Sequence, residues 1–302
     1  IRICGLPAGG SPLADLHPPP LRASMVLSFA GACMSLFSRL KVWFDALRAP
    51  RYPWPAIDLT LPGGRHLHLV GSIHMGTRDM APLPAGLLKK LQQATALIVE
   101  ADVSGQASPF NDLPPRAPLA ERLTDAEQRD LETLLQTLSL APDTFDDQPA
   151  WKIALVLQAT QAQRLGLRPD FGIDYQLLQA AKQAALPVME LEGTQNQIDL
   201  LSQLPDDGKA LLLDTLEHWH TNARLLQVMI GWWMNKPPEE RDIALPSTFS
   251  EPLYEILMHQ RNQAWCEHLL ALPPGHYVVA AGALHLYGEG NLPTLLRQKN
   301  GQ

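Results

Sequence analysis

The sequence predicts an α/β protein: a mixed, largely parallel central sheet flanked by helices, with an inserted helical lid or subdomain. Three observations lead there. Short apolar runs of strand character alternate with stretches of helical period. A mainly helical block interrupts that alternation between residues 195 and 272. Two strand-like runs end in one pattern, Gly71-Ser72-Ile73-His74 and Gly282-Ala283-Leu284-His285.

The elements follow in order. Residues 1–33 read as a disordered or non-native extension, because Pro7, Pro12 and Pro18-Pro19-Pro20 forbid a regular helix. Within them Met25–Cys33 is a short apolar stretch that would read as a weak signal peptide, with Arg22 its only upstream charge. Residues 34–56 form an amphipathic helix and a linker, since Leu36, Leu40, Val42, Trp43 and Leu47 recur at helical spacing. The main domain is expected over residues 57–302. It opens with strands at Ile57–Leu61 and His66–Val70, joined by a Gly63-Gly64 turn. His66 and His68 alternate with Leu67 and Leu69, so both are expected to face solvent.

A helix is expected at Leu87–Leu91, then a buried strand over Ala94–Ala101 that carries Glu100 near its end. Thr124 and Glu127 have capping-box spacing ahead of a helix to Leu138. Another helix spans Ala150–Leu165. Asp174 is placed to cap a helix over Tyr175–Ala185, which leads into a strand at Leu186–Leu191. Pro205, Pro237-Pro238, Pro246 and Pro252 punctuate the long helical block. The last strand is His276–Ala281, and the closing helix is Leu292–Gln298.

Composition bounds the function. The chain has 302 residues, 46% of them hydrophobic, enough for a sizeable core. Its net charge of -7 lacks the basic excess of a nucleic-acid binder. Cys4, Cys33 and Cys266 have no CxxC spacing, which removes a zinc ribbon and a disulfide framework and favours a cytoplasmic location. Export is the alternative if Met25–Cys33 belongs to a signal peptide. No apolar run reaches the roughly 18 residues a membrane span needs. There is no Gly-x-Ser-x-Gly elbow, Walker loop or dinucleotide fingerprint.

The candidate site gathers at strand ends. Glycine after a strand allows a sharp turn and presents the following histidine at the rim. Glu100 and Glu190 finish apolar runs, Glu192 lies two residues beyond Glu190, and alternation would aim that pair one way. Parallel strands put such ends along one edge, where α/β sheets bind ligands. Two imidazoles and carboxylates meeting there suit Mn, Co, Zn or Fe. We therefore expect His74, Glu100 and His285 as metal ligands. Glu192 or Glu190 would be the general base or an orienting group, and Arg261 would hold an anionic group or pair with Glu192. The carboxylates could equally serve only to accept hydrogen bonds or pair with arginines. His218 and His220 lack the spacing of a metal-binding helix, His259 and His268 are expected on helix surfaces, and Trp232-Trp233 reads as packing.

These motifs resemble, in order, those of the TraB/GumN family, which includes Tiki-type metalloproteases. The match comprises Gly71-Ser72-Ile73-His74, Val99-Glu100-Ala101-Asp102, Gly172-Ile173-Asp174, Leu191-Glu192 with Gln197, Arg261-Asn262, and the closing Gly282-Ala283-Leu284-His285-Leu286-Tyr287-Gly288. Gly193 departs from the threonine common at that place. The resemblance implies a fold related to erythromycin esterases and ChaN-like proteins. In the Tiki branch it implies Mn- or Co-dependent peptide cleavage. The expected function is thus a metal-dependent hydrolase acting on a peptide or small molecule. The alternative is a protein that binds a signal peptide or haem in the same cleft without turnover.

Overall fold

Apolar runs bounded by glycine and proline become the central sheet. The computed structural model describes residues 51–102, 113–234, 237–238, 245–288 and 290–300. The extension over residues 1–33 and the helix expected over residues 34–48 lie outside them. In chain order the main elements are β1 (Ala56–Leu61), β2 (Arg65–Ser72), α1 (Ala85–Gln92), β3 (Ala96–Val99), α2 (Asp125–Leu138), α3 (Ala150–Arg164) and α4 (Ile173–Gln183). There follow β4 (Val188–Glu190), α5 (Gly193–Ser202), α6 (Lys209–Glu217), α7 (Trp219–Trp233), α8 (Arg261–Ala271), β5 (Gly275–Gly282) and α9 (Leu292–Lys299).

The sheet order is β1-β2-β5-β3-β4. β1 pairs antiparallel with β2 through the glycine turn, while β2, β5, β3 and β4 run parallel. The late strand β5 therefore lies between two early ones, and this crossover brings the two Gly-x-x-His motifs onto adjacent strands. Ser72 is the register partner of Gly282.

Alternation sends side chains to two separate cores. Leu67, Leu69, Ile98, Tyr277, Val279 and Ala281 pack on one face with Trp265 of α8 and Leu292 of α9. Val70, Leu97, Val99, Val278 and Ala280 pack on the other with Leu87 of α1 and Leu177 of α4. Both faces being covered explains why these strands read as continuous apolar runs. A third core, from α2, α3 and α6 with Leu253 and Leu257, makes the inserted helical subdomain. Its capping box forms as expected: Glu127 accepts from the Thr124 amide at 2.7 Å. Trp232 and Trp233 are packing residues, 6% and 7% exposed.

His68 corrects the sequence reading. It is 5% exposed, covered by Tyr52 and Trp54, and its Nδ1 lies 2.6 Å from Asp58. Alternation put His66 and His68 on one face, but the residues ahead of β1 fold over only the second. No helix among the described residues is long and apolar enough to cross a membrane.

Candidate active site

The carboxyl ends of β2, β3, β4 and β5 carry the nominated histidines and glutamates along one rim, and Arg261 reaches it from α8. The chain leaving β2 presents His74 in a loop. That loop is pinned to the segment before α4 by Gly76–Arg168 backbone bonds and by the Ile173 amide on Ile73 O at 2.9 Å. A Cβ on Gly172 would come within 2.2 Å of the His74 carbonyl oxygen, so this approach requires glycine there. It sets Asp174, in the first turn of α4, 3.0 Å from His74 Nδ1. Asp174 is thus not the helix cap expected from sequence. Gly172 holds the cap position, and the Asp174 carboxylate reaches out to the histidine.

His74 remains 72% exposed in its side chain while Asp174 is 9% exposed. The Asp174 charge and hydrogen bond raise the His74 pKa to about 9, with Glu100 adding and Arg261 opposing. Asp174 therefore favours the protonated imidazole. Because water bathes most of the ring, the pair is screened and governs protonation far more than stability.

His285 has the opposite setting. It lies in a single helical turn, Ala283–Leu286, and is 5% exposed. Its Nδ1 is 2.7 Å from Asn262 Oδ1, and its Nε2 is 3.2 Å from Arg261 Nη1. A guanidinium can only donate, so Nε2 carries the lone pair and Nδ1 the proton. Asn262 is oriented for this by its amide nitrogen, which donates to Gly290 O. Burial pushes the His285 pKa down to about 3; Glu100 opposes the shift, and the cations Arg261 and His74 reinforce it. His285 is neutral.

Glu100, 6% exposed, follows β3 directly. Its Oε1 accepts from the Gly282 amide at 2.6 Å and its Oε2 from Arg261 Nη2 at 2.7 Å. Burial alone would raise its pKa, yet it is held at about 2 by Arg261, then His285, His74 and the Gly282 amide. With His285 neutral above about 3, Arg261 is the dominant partner.

The two glutamates after β3's neighbour part company. β4 stops at Glu190, whose Oε1 accepts from the Asp102 amide at 2.6 Å and whose side chain is exposed. The chain then turns, and the amides of Glu192 and Gly193 both donate to Glu100 O. Gly193 adopts φ 80°, a conformation threonine would strongly resist, which accounts for the glycine at this place. Glu192 accepts from Arg261 Nε at 3.1 Å and Nη2 at 2.5 Å, from Gln197 at 2.9 Å and from Trp265 at 3.3 Å.

Arg261 stands at the junction of a π-helical run, Glu255–Gln260, with α8. Besides Glu100, Glu192 and His285 it donates to Leu257 O at 3.2 Å, and its guanidinium lies 4.6 Å from the Trp265 ring centroid. Of the two roles expected for it, pairing with Glu192 is the one formed here. The sequence reading missed Asp174, Asn262, Trp265 and the Gly282 amide as site groups. A signal existed for each of them: Asp174, Asn262 and Gly282 lie in the motifs that resemble the family, and Trp265 sits four residues past Arg261, on the same face of the helix.

The donor set for a metal has the right chemistry, two imidazoles and carboxylates. Its arrangement does not fit one. Both Glu100 oxygens and the His285 lone pair are taken, and among the described residues no three His, Cys, Asp or Glu side chains converge to hold an ion.

Comparison with known proteins places this architecture. The chain is 62% identical over 264 residues to the protein described as uncharacterized protein YbaP from Escherichia coli K12, covering 87% of this chain and all of the relative. It matches its Shigella flexneri counterpart equally well. A sequence model of the TraB/PrgY/gumN family matches residues 58–301, from β1 through α9 and across every residue of the cluster, so the chain belongs to the TraB/PrgY/gumN family.

Proposed function

We propose that this cleft is the active site of a hydrolase acting on a peptide or small-molecule substrate. The observation that carries the reading is the His74–Asp174 pair. Its Nδ1 is engaged by Asp174 while the His74 side chain stays open to solvent, where a substrate can reach it. Aspartate behind an imidazole fixes its orientation and stabilises its charged form, as in hydrolytic triads.

The protonated His74 that Asp174 favours is suited to donate to a leaving nitrogen or oxygen and to stabilise a developing oxyanion. A base must accept the proton of the attacking water. Glu192 has both oxygens committed to Arg261, Gln197 and Trp265. Glu190 takes the Asp102 amide on Oε1 and reaches solvent. We assign Glu190 as the base and Glu192 as a positioning residue.

In the metal-dependent form of this proposal Mn or Co would need His74, Glu100 and His285, of which Glu100 and His285 are already engaged by Arg261 and the Gly282 amide. Arg261 would first have to leave Glu100 and His285.

The test is turnover of peptide and ester libraries, with and without added Mn or Co. We expect hydrolysis that falls by about 100-fold or more in His74→Ala and in Asp174→Asn. Intact substrate recovered from wild-type protein after long incubation would establish the binding-only alternative. Undiminished turnover in both variants would remove His74 from the chemistry.

A further inference from the structure

A buried carboxylate, a second one largely covered and a buried lone pair around one point call for a cation. Here the cation is covalently attached. All the N–H groups of Arg261 are spent: Nε–H on Glu192, the Nη2 pair on Glu192 and Glu100, the Nη1 pair on Leu257 O and His285. Its acceptors are nearly spent in turn. Glu100 Oε1 holds the Gly282 amide, and the His285 Nδ1 proton goes to Asn262.

We propose that Arg261 is the resident cation of the cleft and that it excludes a divalent metal from Glu100 and His285. The proposal rests on reading those two residues as would-be ligands, as above. It assigns Arg261 a positioning and gating role in place of substrate binding, since no donor remains for a substrate.

Three features hold the guanidinium in place. Trp265 lies against its face, Leu257 O anchors it from behind, and the Arg261 side chain is only 17% exposed. Withdrawing it would leave Glu100 and Glu192, 7% and 14% exposed, without their counter-charge. A divalent ion could replace that charge, so arginine and metal compete for one place. With Arg261 removed, Glu100, Glu192 and the His285 Nε2 lone pair would border the space it leaves, donor types that suit Mn or Co once they shift to converge.

The experiment titrates the full chain, free of any polyhistidine tag, with Co2+ alone. Visible absorption and calorimetry would follow wild type, Arg261→Gln, Arg261→Lys, and Arg261→Gln with His285→Ala. We expect no saturable site in wild type that depends on His285. Arg261→Gln should bind at least about tenfold tighter than wild type, a gain abolished by His285→Ala. Arg261→Lys keeps a charge but loses the fork, so it should fall between, and it carries the comparison if the Gln variant does not fold.

Wild-type protein that binds Co2+ with an absorption band lost in His285→Ala would overturn the exclusion and leave the metal-dependent hydrolase reading standing. Folded Arg261 variants that bind no better than wild type would overturn the exclusion and remove metal from this cleft, while metal-free turnover would remain to be judged by the library assay.

Discussion

Two copies of one motif on neighbouring parallel strands end in opposite chemical states. His74 is exposed, backed by a carboxylate and favoured as the cation; His285 is buried, backed by an amide and an arginine, and neutral. The shared part, a strand running into glycine, delivers both rings to the same rim. What differs is what covers them. The loop after His74 lies on the segment before α4 and meets Asp174. The turn carrying His285 is overlaid by α8, which contributes Arg261, Asn262 and Trp265. A repeated motif therefore fixes position, and the long-range partner fixes protonation.

The contrast predicts unequal stability costs, and the largest should be at the buried copy. Arg261→Met would leave Glu100 and Glu192 buried with no counter-charge, a defect worth about 3–5 kcal/mol. Truncating the exposed ring, His74→Ala, should cost less, about 1 kcal/mol, because it leaves only Asp174 without its partner and the first turn of α4 still favours that charge. Urea denaturation of the two variants beside wild type reads both. Equal costs would mean that the burial difference between the motifs has no energetic meaning. Adding Glu100→Gln and Glu192→Gln to Arg261→Met should recover part of the loss, because the orphaned charges would then be gone.

Titration sharpens the same comparison. The ordinary imidazole value is about 6.5. His74 is raised to about 9, so its pair with Asp174 is fully stabilising below 6.5 and fades as pH rises through 9; solvent screening keeps the amount small. His285 is lowered to about 3. The unfolded chain therefore takes up its proton first, and stability is lost as pH falls from about 6.5 towards 3. Glu100, held at about 2 against an ordinary carboxylate value near 4.5, adds a loss as pH falls from 4.5 through 2. Histidine NMR should show one resonance titrating well above 6.5, returned towards 6.5 by Asp174→Asn, and another unchanged down to pH 5. If both rings titrate near 6.5, neither partner sets protonation.

How much of this the sequence disclosed follows a physical line. Strands buried on both faces need apolar residues in succession, so β2, β3 and β5 are visible as runs, and Thr124 with Glu127 announces its helix within four residues. The rim followed from those strand ends. Partner choice did not, because it depends on residues far apart in the chain. Asp174 sits where a carboxylate can cap a helix or leave it, and only the loop carrying His74, a hundred residues earlier, decides. His68 shares a face with His66, and only Tyr52 and Trp54 distinguish them. Arg261 meets Glu100 across 161 residues. Alternation could not foresee that β4 stops at Glu190, which releases Glu192 to turn towards α8.

The smallest effect lies where the two motifs touch. Ser72 and Ala283 occupy the same place in the repeat, each just after the glycine, and each is buried, at 1% and 2% exposure. The Ser72 hydroxyl has no hydrogen-bond partner among the described residues. A buried hydroxyl without a partner loses its hydration for nothing, at a cost of about 1–3 kcal/mol by protein mutational data. Ser72→Ala makes the first motif match the second and removes that cost while deleting a single oxygen from the core. The opposing loss of packing is small, so the melting temperature should hold or rise, by the equivalent of about 1 kcal/mol at most. Hydrolytic turnover should be unaffected if Ser72 is only packing. Turnover lost with stability kept would instead make Ser72 the one side chain of the first repeat, besides His74, that the chemistry uses. A fall in stability beyond about 1 kcal/mol would mean that the hydroxyl is bonded after all, most simply through an ordered water.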